Sequence, residues 1–245
     1  MDDKIVKEAL SYSLGSDLHE AWCHQELYSF FLRAQKEYSE TQNLGEALRQ
    51  ACFKGEQKRL EVELDTGWLL GHESIASRCL SEFDVFKALF DKGVIDVKRY
   101  VKRDLTQDEI DRMGSDYIDG KENILRDFSK LSVASQDDSL QAARVVIDLV
   151  YDKKINHELI TEEEREQMGS FVHEEWLKRN SWVYDPNNGR PDLAVPYEKL
   201  IKEERDKDKV QIEKAEEKIQ TYMDGLIDIQ ALCEQYGINS VGRAL

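Results

Sequence analysis

The sequence predicts a mainly α-helical protein with one small β element, and three observations carry that expectation. Apolar residues recur at the i, i+3, i+4 spacing of amphipathic helices over most of the 245 residues. Two Thr-x-x-Glu capping boxes, Thr106/Glu109 and Thr161/Glu164, mark helix starts. All three prolines, Pro186, Pro191 and Pro196, fall in one short stretch, which alone is barred from continuous helix.

Taken in order, Ser16-Asp17 is expected to cap a first helix with Leu18, Ala21, Trp22, Leu27, Phe30, Phe31 and Ala34 on one face. A second helix is expected from Leu44 to about Leu70, broken by Gly55. Phe83 to Val101 reads as two short helices parted by Gly93. Thr106 opens the next, and Ser135 to Ser139 reads as a polar break before an apolar helix ending near Lys153-Lys154. Thr161 opens a helix carrying Met168, Phe171, Val172 and Trp176. After the prolines, Lys202 to Tyr236 alternates charged and apolar faces through Ile212, Ala215 and Ile219. It is kinked or divided at Asp224-Gly225 and ends at Gly237. The β element is expected between Trp182 and Val195, where Asn187-Asn188-Gly189 supplies a turn signal. The domain division is placed at 1–156 and 157–245.

The 50 acidic and 34 basic residues give a net charge of −16, which repels phosphate backbones and argues against general nucleic-acid binding. Cys23, Cys52, Cys79 and Cys233 show no C-x-x-C spacing and no secretory signal opens the chain, so a reducing cytoplasm is expected. No apolar run approaches the ~20 residues that cross a bilayer, so no membrane role is expected.

Catalytic signatures are missing from the sequence. His173-Glu174 fails the H-E-x-x-H pattern because position 177 is Leu, and no cluster has metal-ligand spacing. His173 reads instead as a helix histidine near Trp176 that bonds a loop carbonyl. No G-x-S-x-G, G-x-G-x-x-G or P-loop is present. The acidic runs, including Asp206 and Asp208, read as solvated helix faces. No metal, no cofactor and no enzymatic activity are expected.

From residue 160 to 240 the spacing becomes specific. His173-x-x-Trp176 is followed by Trp182-x-Tyr184-x-Pro186, then Pro191-x-Leu193-x-x-Pro196-Tyr197-x-x-Leu200 and a charged helix. This pattern resembles the ryanodine receptor (RyR) repeat domain, over the C-terminal third of the chain only. The resemblance makes His173, Trp176, Pro186, Pro191, Pro196 and Tyr197 its structural signature. It implies two helices flanking a small hairpin or extended segment, often in pseudo-twofold pairs, with single copies found in bacterial and phage proteins. A tandem pair in the large receptor can hold an adenine nucleotide between aromatic side chains. His19-Glu20-Ala21-Trp22 echoes His173-Glu174-Glu175-Trp176, so pairing would be met within the chain or between two chains as a homo-oligomer.

Trp182 and Tyr184 have two readings. Either they glue the proline segment to its helices, or they form a stacking platform for a planar ligand. In the second, Arg179, Arg190 or Lys199 would face a phosphate, and Asn180 and Asn187 would read a base edge. The lead expectation is a non-catalytic cytoplasmic module that binds a nucleotide-like small molecule to sense or sequester it. The alternative is a scaffold whose RyR-like unit is a docking or dimerisation surface.

Overall fold

The computed structural model describes residues 2–54, 57, 58, 60–64, 90, 93–186 and 189–238. In chain order the elements are α1 (Asp3–Thr41), α2 (Leu44–Ala51), β1 (Phe53–Lys54), β2 (Gln57–Lys58), β3 (Glu61–Leu64), β4 (Ile95–Lys98) and β5 (Tyr100–Lys102). Then follow α3 (Gln107–Met113), β6 (Tyr117–Ile118), β7 (Lys121–Asn123), α4 (Val133–Ile155), α5 (Glu162–Arg179), α6 (Lys202–Met223) and α7 (Ile229–Tyr236). The fold is mainly helical with small antiparallel strands, as the sequence predicts. No helix among the described residues is long and apolar enough to cross a membrane.

The chain forms two compact units, Met1–His19 with Gln136–Leu245, and Glu20–Ser135. A division near 156 therefore falls inside the first unit.

The first unit is a helical layer whose core repeats at three and four residues. Val6, Ala9, Leu10 and Leu14 of α1 are buried, as are Leu140, Ala143, Val146, Ile147 and Val150 of α4. Ile212, Ala215 and Ile219 are the buried stripe of α6, as their spacing predicts. A Cβ on Gly15 would lie 3.1 Å from Leu140 Cδ2, so a small residue there lets α1 and α4 approach. Gly225, at φ 72°, separates α6 from α7, and Gly237 ends α7 in the left-handed region that an L side chain resists.

Ion pairs lace the helices of this unit. Arg144 bridges to Glu8, Lys153 to Glu164, Arg165 to Glu216 and Lys209 to Glu166. The cation is usually the covered partner: Lys209 has 17% of its side chain exposed against 72% for Glu162. Long aliphatic stems make this asymmetry favourable, because they bury apolar area while the charge reaches out.

The second unit contains all the described strands. Its core joins Phe30, Phe31 and Ala34 of α1 to Leu48, Ala51 and Cys52 of α2, with Leu60, Val94, Ile95 and Val97. β3 pairs antiparallel with β4, Val62 opposite Val97, and a separate sheet runs β5-β7-β6. Asp119 and Gly120, both at positive φ, make the two-residue turn between β6 and β7. Glu122 of β7 is fully buried. Its carboxylate accepts from Ser132 N and Oγ, both at 2.7 Å, and from Ser135 Oγ at 2.6 Å.

Four sequence expectations are corrected. The β element is not at Trp182–Val195, which holds turns and 3-10 helix but no strand among its described residues. The strands lie within 53–123, in segments expected to be helical, because Leu60-x-Val62-x-Leu64 and Ile95-x-Val97 repeat every second residue. α1 starts at Asp3, and Asp17 lies inside it, ion-paired to Lys218 at 2.6 Å instead of capping. Ser135 to Ser139 is interior to α4, since Ser132 Oγ accepts from Ser135 N at 3.1 Å and the helix begins earlier. The expected helical stretch through Gly67 and Phe83 lies outside the described residues.

Glu122 accepts from three donors, Ser132 N, Ser132 Oγ and Ser135 Oγ. Glu122→Ala is expected to lower stability by roughly 3 kcal/mol, read by urea denaturation, because those donors stay buried without partners. An unchanged midpoint would show that water replaces the carboxylate.

Candidate functional site

The site is built on the C-terminal end of α5. Thr161 caps this helix through its hydroxyl while Glu164 returns the bond, so the expected capping box is present in full. Glu162, Glu163 and Glu164 in the first turn and Lys178 and Arg179 in the last complement the helix dipole. The helix stops at Asn180, whose backbone N–H and side-chain Nδ2 both donate to the Trp176 carbonyl, at 3.0 and 2.9 Å. A 3-10 turn, Ser181–Tyr184, then sends Val183 inward and leaves Trp182 and Tyr184 outside.

The proline segment is a compact loop. Gly189 N donates to Asp185 O at 2.7 Å and Arg190 N to Val183 O at 3.0 Å. A Cβ on Gly189 would collide with the carbonyls of Val183 and Asp185, so only glycine fits this close approach. Pro186, Pro191 and Pro196 are all exposed, holding backbone angles and not core volume. The segment returns to α5 at two points. His173 Nε2 donates to the Val195 carbonyl at 2.9 Å, and Tyr197 presses its hydroxyl end against Gly169.

His173 therefore bonds a loop carbonyl, as its sequence context predicts. A row of rings runs from the buried interior to the surface. Tyr197 and His173 have centroids 6.3 Å apart, His173 stacks near Trp176 at 5.9 Å, and Trp176 meets Trp182 edge to face at 6.3 Å. Exposure rises from 3% at His173 to 45% at Trp182, and Tyr184, two residues further on, is 58% exposed. The Trp182 ring is also held by a bond from its Nε1–H to Asn180 Oδ1 at 2.9 Å.

The candidate cations separate into three situations. Arg190 is engaged by Asp192, its Nε at 2.8 Å and its NH2 group at 2.6 Å. Lys199 is exposed on the 3-10 turn Tyr197–Lys199. Arg179 is half-buried and has no salt bridge among the described residues. Desolvation lowers its pKa, partly offset by the nearby charges of Glu175, Asp138 and Asp137. Asn180 thus sits inside the site as a positioning group for Trp182, while Asn187 lies outside the described residues.

Asp208 departs from its expected solvated face. It is buried, with Oδ2 at 3.8 Å from His173 Nδ1, which is ionic range and too long for a hydrogen bond. Burial pushes its carboxyl up to about 7, Glu204 adds to the rise and Lys207 opposes it. The burial of Asp208 and the wedge of Tyr197 on Gly169 are not legible in the sequence; the first comes from packing of α6 on α5, which the helical spacing to Ile212 and Ala215 one and two turns on could flag, and the second from the 3-10 turn Tyr197–Lys199 packing on α5. Among the described residues no three His, Cys, Asp or Glu side chains converge to hold a metal ion.

No protein-family model matches the chain, and neither a curated protein nor a solved structure is similar to it at a significant level.

Two outcomes follow from this geometry. A Cβ at position 169 would stand 2.5 Å from the Tyr197 hydroxyl and 2.9 Å from its ring, so Gly169→Ala should cost about 1–3 kcal/mol in denaturant unfolding. A neutral result would mean that Tyr197 swings clear without loss. For Asp208, the native state holds an extra proton between the carboxyl's ordinary 3.8 and about 7. Stability contributed by that proton is complete below 3.8 and is lost as pH rises through about 7. Asp208→Asn should therefore raise stability at pH ~8 by on the order of 1–3 kcal/mol and flatten the decline between pH ~5 and ~8. Parallel pH profiles for the two proteins would sink this account.

Proposed function

We propose that the protein is a non-catalytic binding module whose site is the aromatic end of α5, taking a planar, negatively charged small molecule of nucleotide type. One observation carries the reading: Trp182 is both exposed and immobilised. An indole 45% open to solvent, bonded through Nε1 to Asn180 and braced edge-on by Trp176, offers a fixed stacking face at little further ordering cost. Tyr184, on the same 3-10 turn, is exposed as well. Arg179, three residues before Trp182 and free of a salt bridge among the described residues, is the cation best placed in sequence to meet the ligand's charge. Arg190 is spent on Asp192.

The likeness of residues 160–240 to the RyR repeat points the same way, since a paired repeat of that family can hold an adenine nucleotide. His173, Trp176 and Tyr197 then act as the joint of the unit, and Trp182 with Tyr184 as its working surface. Sensing or sequestering a ligand needs only such a surface.

The test is a thermal-shift screen of mono-, di- and cyclic nucleotides against the full chain and its Trp182→Ala variant. A ligand present at 100 times its Kd adds about 2.7 kcal/mol of stability. The expected outcome is a shift in the parent chain that Trp182→Ala abolishes while its unliganded unfolding stays cooperative. No shift with any nucleotide, together with a mass that rises with concentration, would favour a docking or self-association surface instead. Collapse of the variant's own transition would return Trp182 to the core.

A further inference from the structure

The second unit holds a cavity that the aromatic site does not involve. It measures about 220 Å³ and is lined by Glu109, Arg112, Met113, Arg126, Ser129, Lys130, Leu131 and Ser132. We propose that it is a binding site for a small phosphate-bearing anion.

The wall carries three cations and one carboxylate, in a chain whose overall charge is −16. Two of these cations have acidic partners, Arg126 with Asp116 at 2.6 Å and Lys130 with Asp127 at 2.5 Å. Neither Asp116 nor Asp127 belongs to the wall. Arg112 donates its Nε to the Asp108 carbonyl at 3.2 Å, a bond that fixes the side chain without neutralising it.

Glu109 is the one carboxylate of the wall, and its charge is already committed. Oε2 accepts from Thr106 N at 3.0 Å and from Thr106 Oγ1 at 2.8 Å, while Oε1 faces Val133 N at 3.4 Å. These bonds hold its carboxyl below the ordinary range, and they join it to the starts of α3 and α4. Ser132 is likewise occupied by Glu122. Arg126 and Lys130 keep their ion pairs with Asp116 and Asp127, so a ligand would share those two cations while meeting Arg112 and Ser129 directly, over a floor of Met113 and Leu131, both buried.

Size and chemistry together choose the ligand class. Cavities that enclose drug-sized molecules run from about 300 to 1,000 Å³, so this one suits something smaller. Guanidinium forks with an ammonium match the several oxygens of a phosphate group better than a lone carboxylate. A phosphate monoester or a diphosphate with a short carbon body fits both limits.

Inorganic pyrophosphate is the probe, titrated calorimetrically into the full-length protein at constant ionic strength set with sodium chloride. Binding is expected, and Arg112→Gln or Lys130→Gln should each weaken it by roughly tenfold, about 1.4 kcal/mol by the usual conversion. Both residues are exposed, so the variants should keep the parent's unfolding midpoint, which is measured alongside. Trp182→Ala should leave pyrophosphate affinity unchanged. Three results would each overturn the proposal: no heat beyond the salt control, equal affinity in the Arg112→Gln/Lys130→Gln double variant, or loss of binding in Trp182→Ala.

Discussion

The hydrogen bond from His173 Nε2 to the Val195 carbonyl ties the proline segment to the helix beneath it. Everything in the aromatic site hangs from that tie. The proline segment has no strand ladder to hold it, so its position rests on a few side chains and on tight turns around Asp185 and Arg190. With His173 buried among Trp176, Tyr197 and Asp208, its ring cannot rotate without losing either the carbonyl bond or the ring contacts. The same ring that fixes the segment thus also fixes Trp176, and through it the exposed Trp182.

This arrangement carries an electrostatic cost. A buried carboxyl whose nearest cationic partner is an imidazole at 3.8 Å is expensive to keep in its charged form. A protein built for stability alone would place an apolar residue at 208, in line with Ile212 and Ala215. Local rules broken without a visible gain in stability tend to mark functional ground, and Asp208 lies against His173, the histidine that stacks on Trp176. In the second unit Glu122 is the opposite case. It is equally buried but supplied with three donors, and it gives order to the start of α4.

What could be read in advance was whatever local chemistry decides. Thr106 and Thr161 cap their helices as their Glu partners at the third position require, Gly237 closes α7, and Asp224-Gly225 parts it from α6. The bond of His173 to a loop carbonyl was legible because a helix histidine beside a proline loop has few other acceptors. The strands were not recognised, although Asp119-Gly120 is a hairpin turn signal and alternation at 60–64 and 95–97 is a strand period. Short strands of two to four residues leave too few repeats to compete with flanking helical spacing. Ser135 was misjudged because its partner, Glu122, is thirteen residues away, and Asp208 because its burial is imposed by α5. The cations of the cavity wall are likewise scattered over 112–130, where only tertiary structure brings them together.

The ion pairs of this protein share a bias with a wider effect. Lys98, with 12% of its side chain exposed, faces Glu63 at 71%, and Lys209 and Glu162 show the same contrast. In most of the ion pairs between described residues the cation is the more covered partner, although Arg144 with Glu8 and Lys178 with Glu175 run the other way. At a distance beyond the ~8 Å reach of unscreened charge in physiological salt, a neighbouring molecule meets little of either sign. Closer in, it meets a surface that is more acidic than composition alone implies. Copies of the chain should therefore repel one another at short range and remain dispersed in a crowded solution. An anion must come from within that barrier, by close fit and not by attraction from afar, to reach a cation at all.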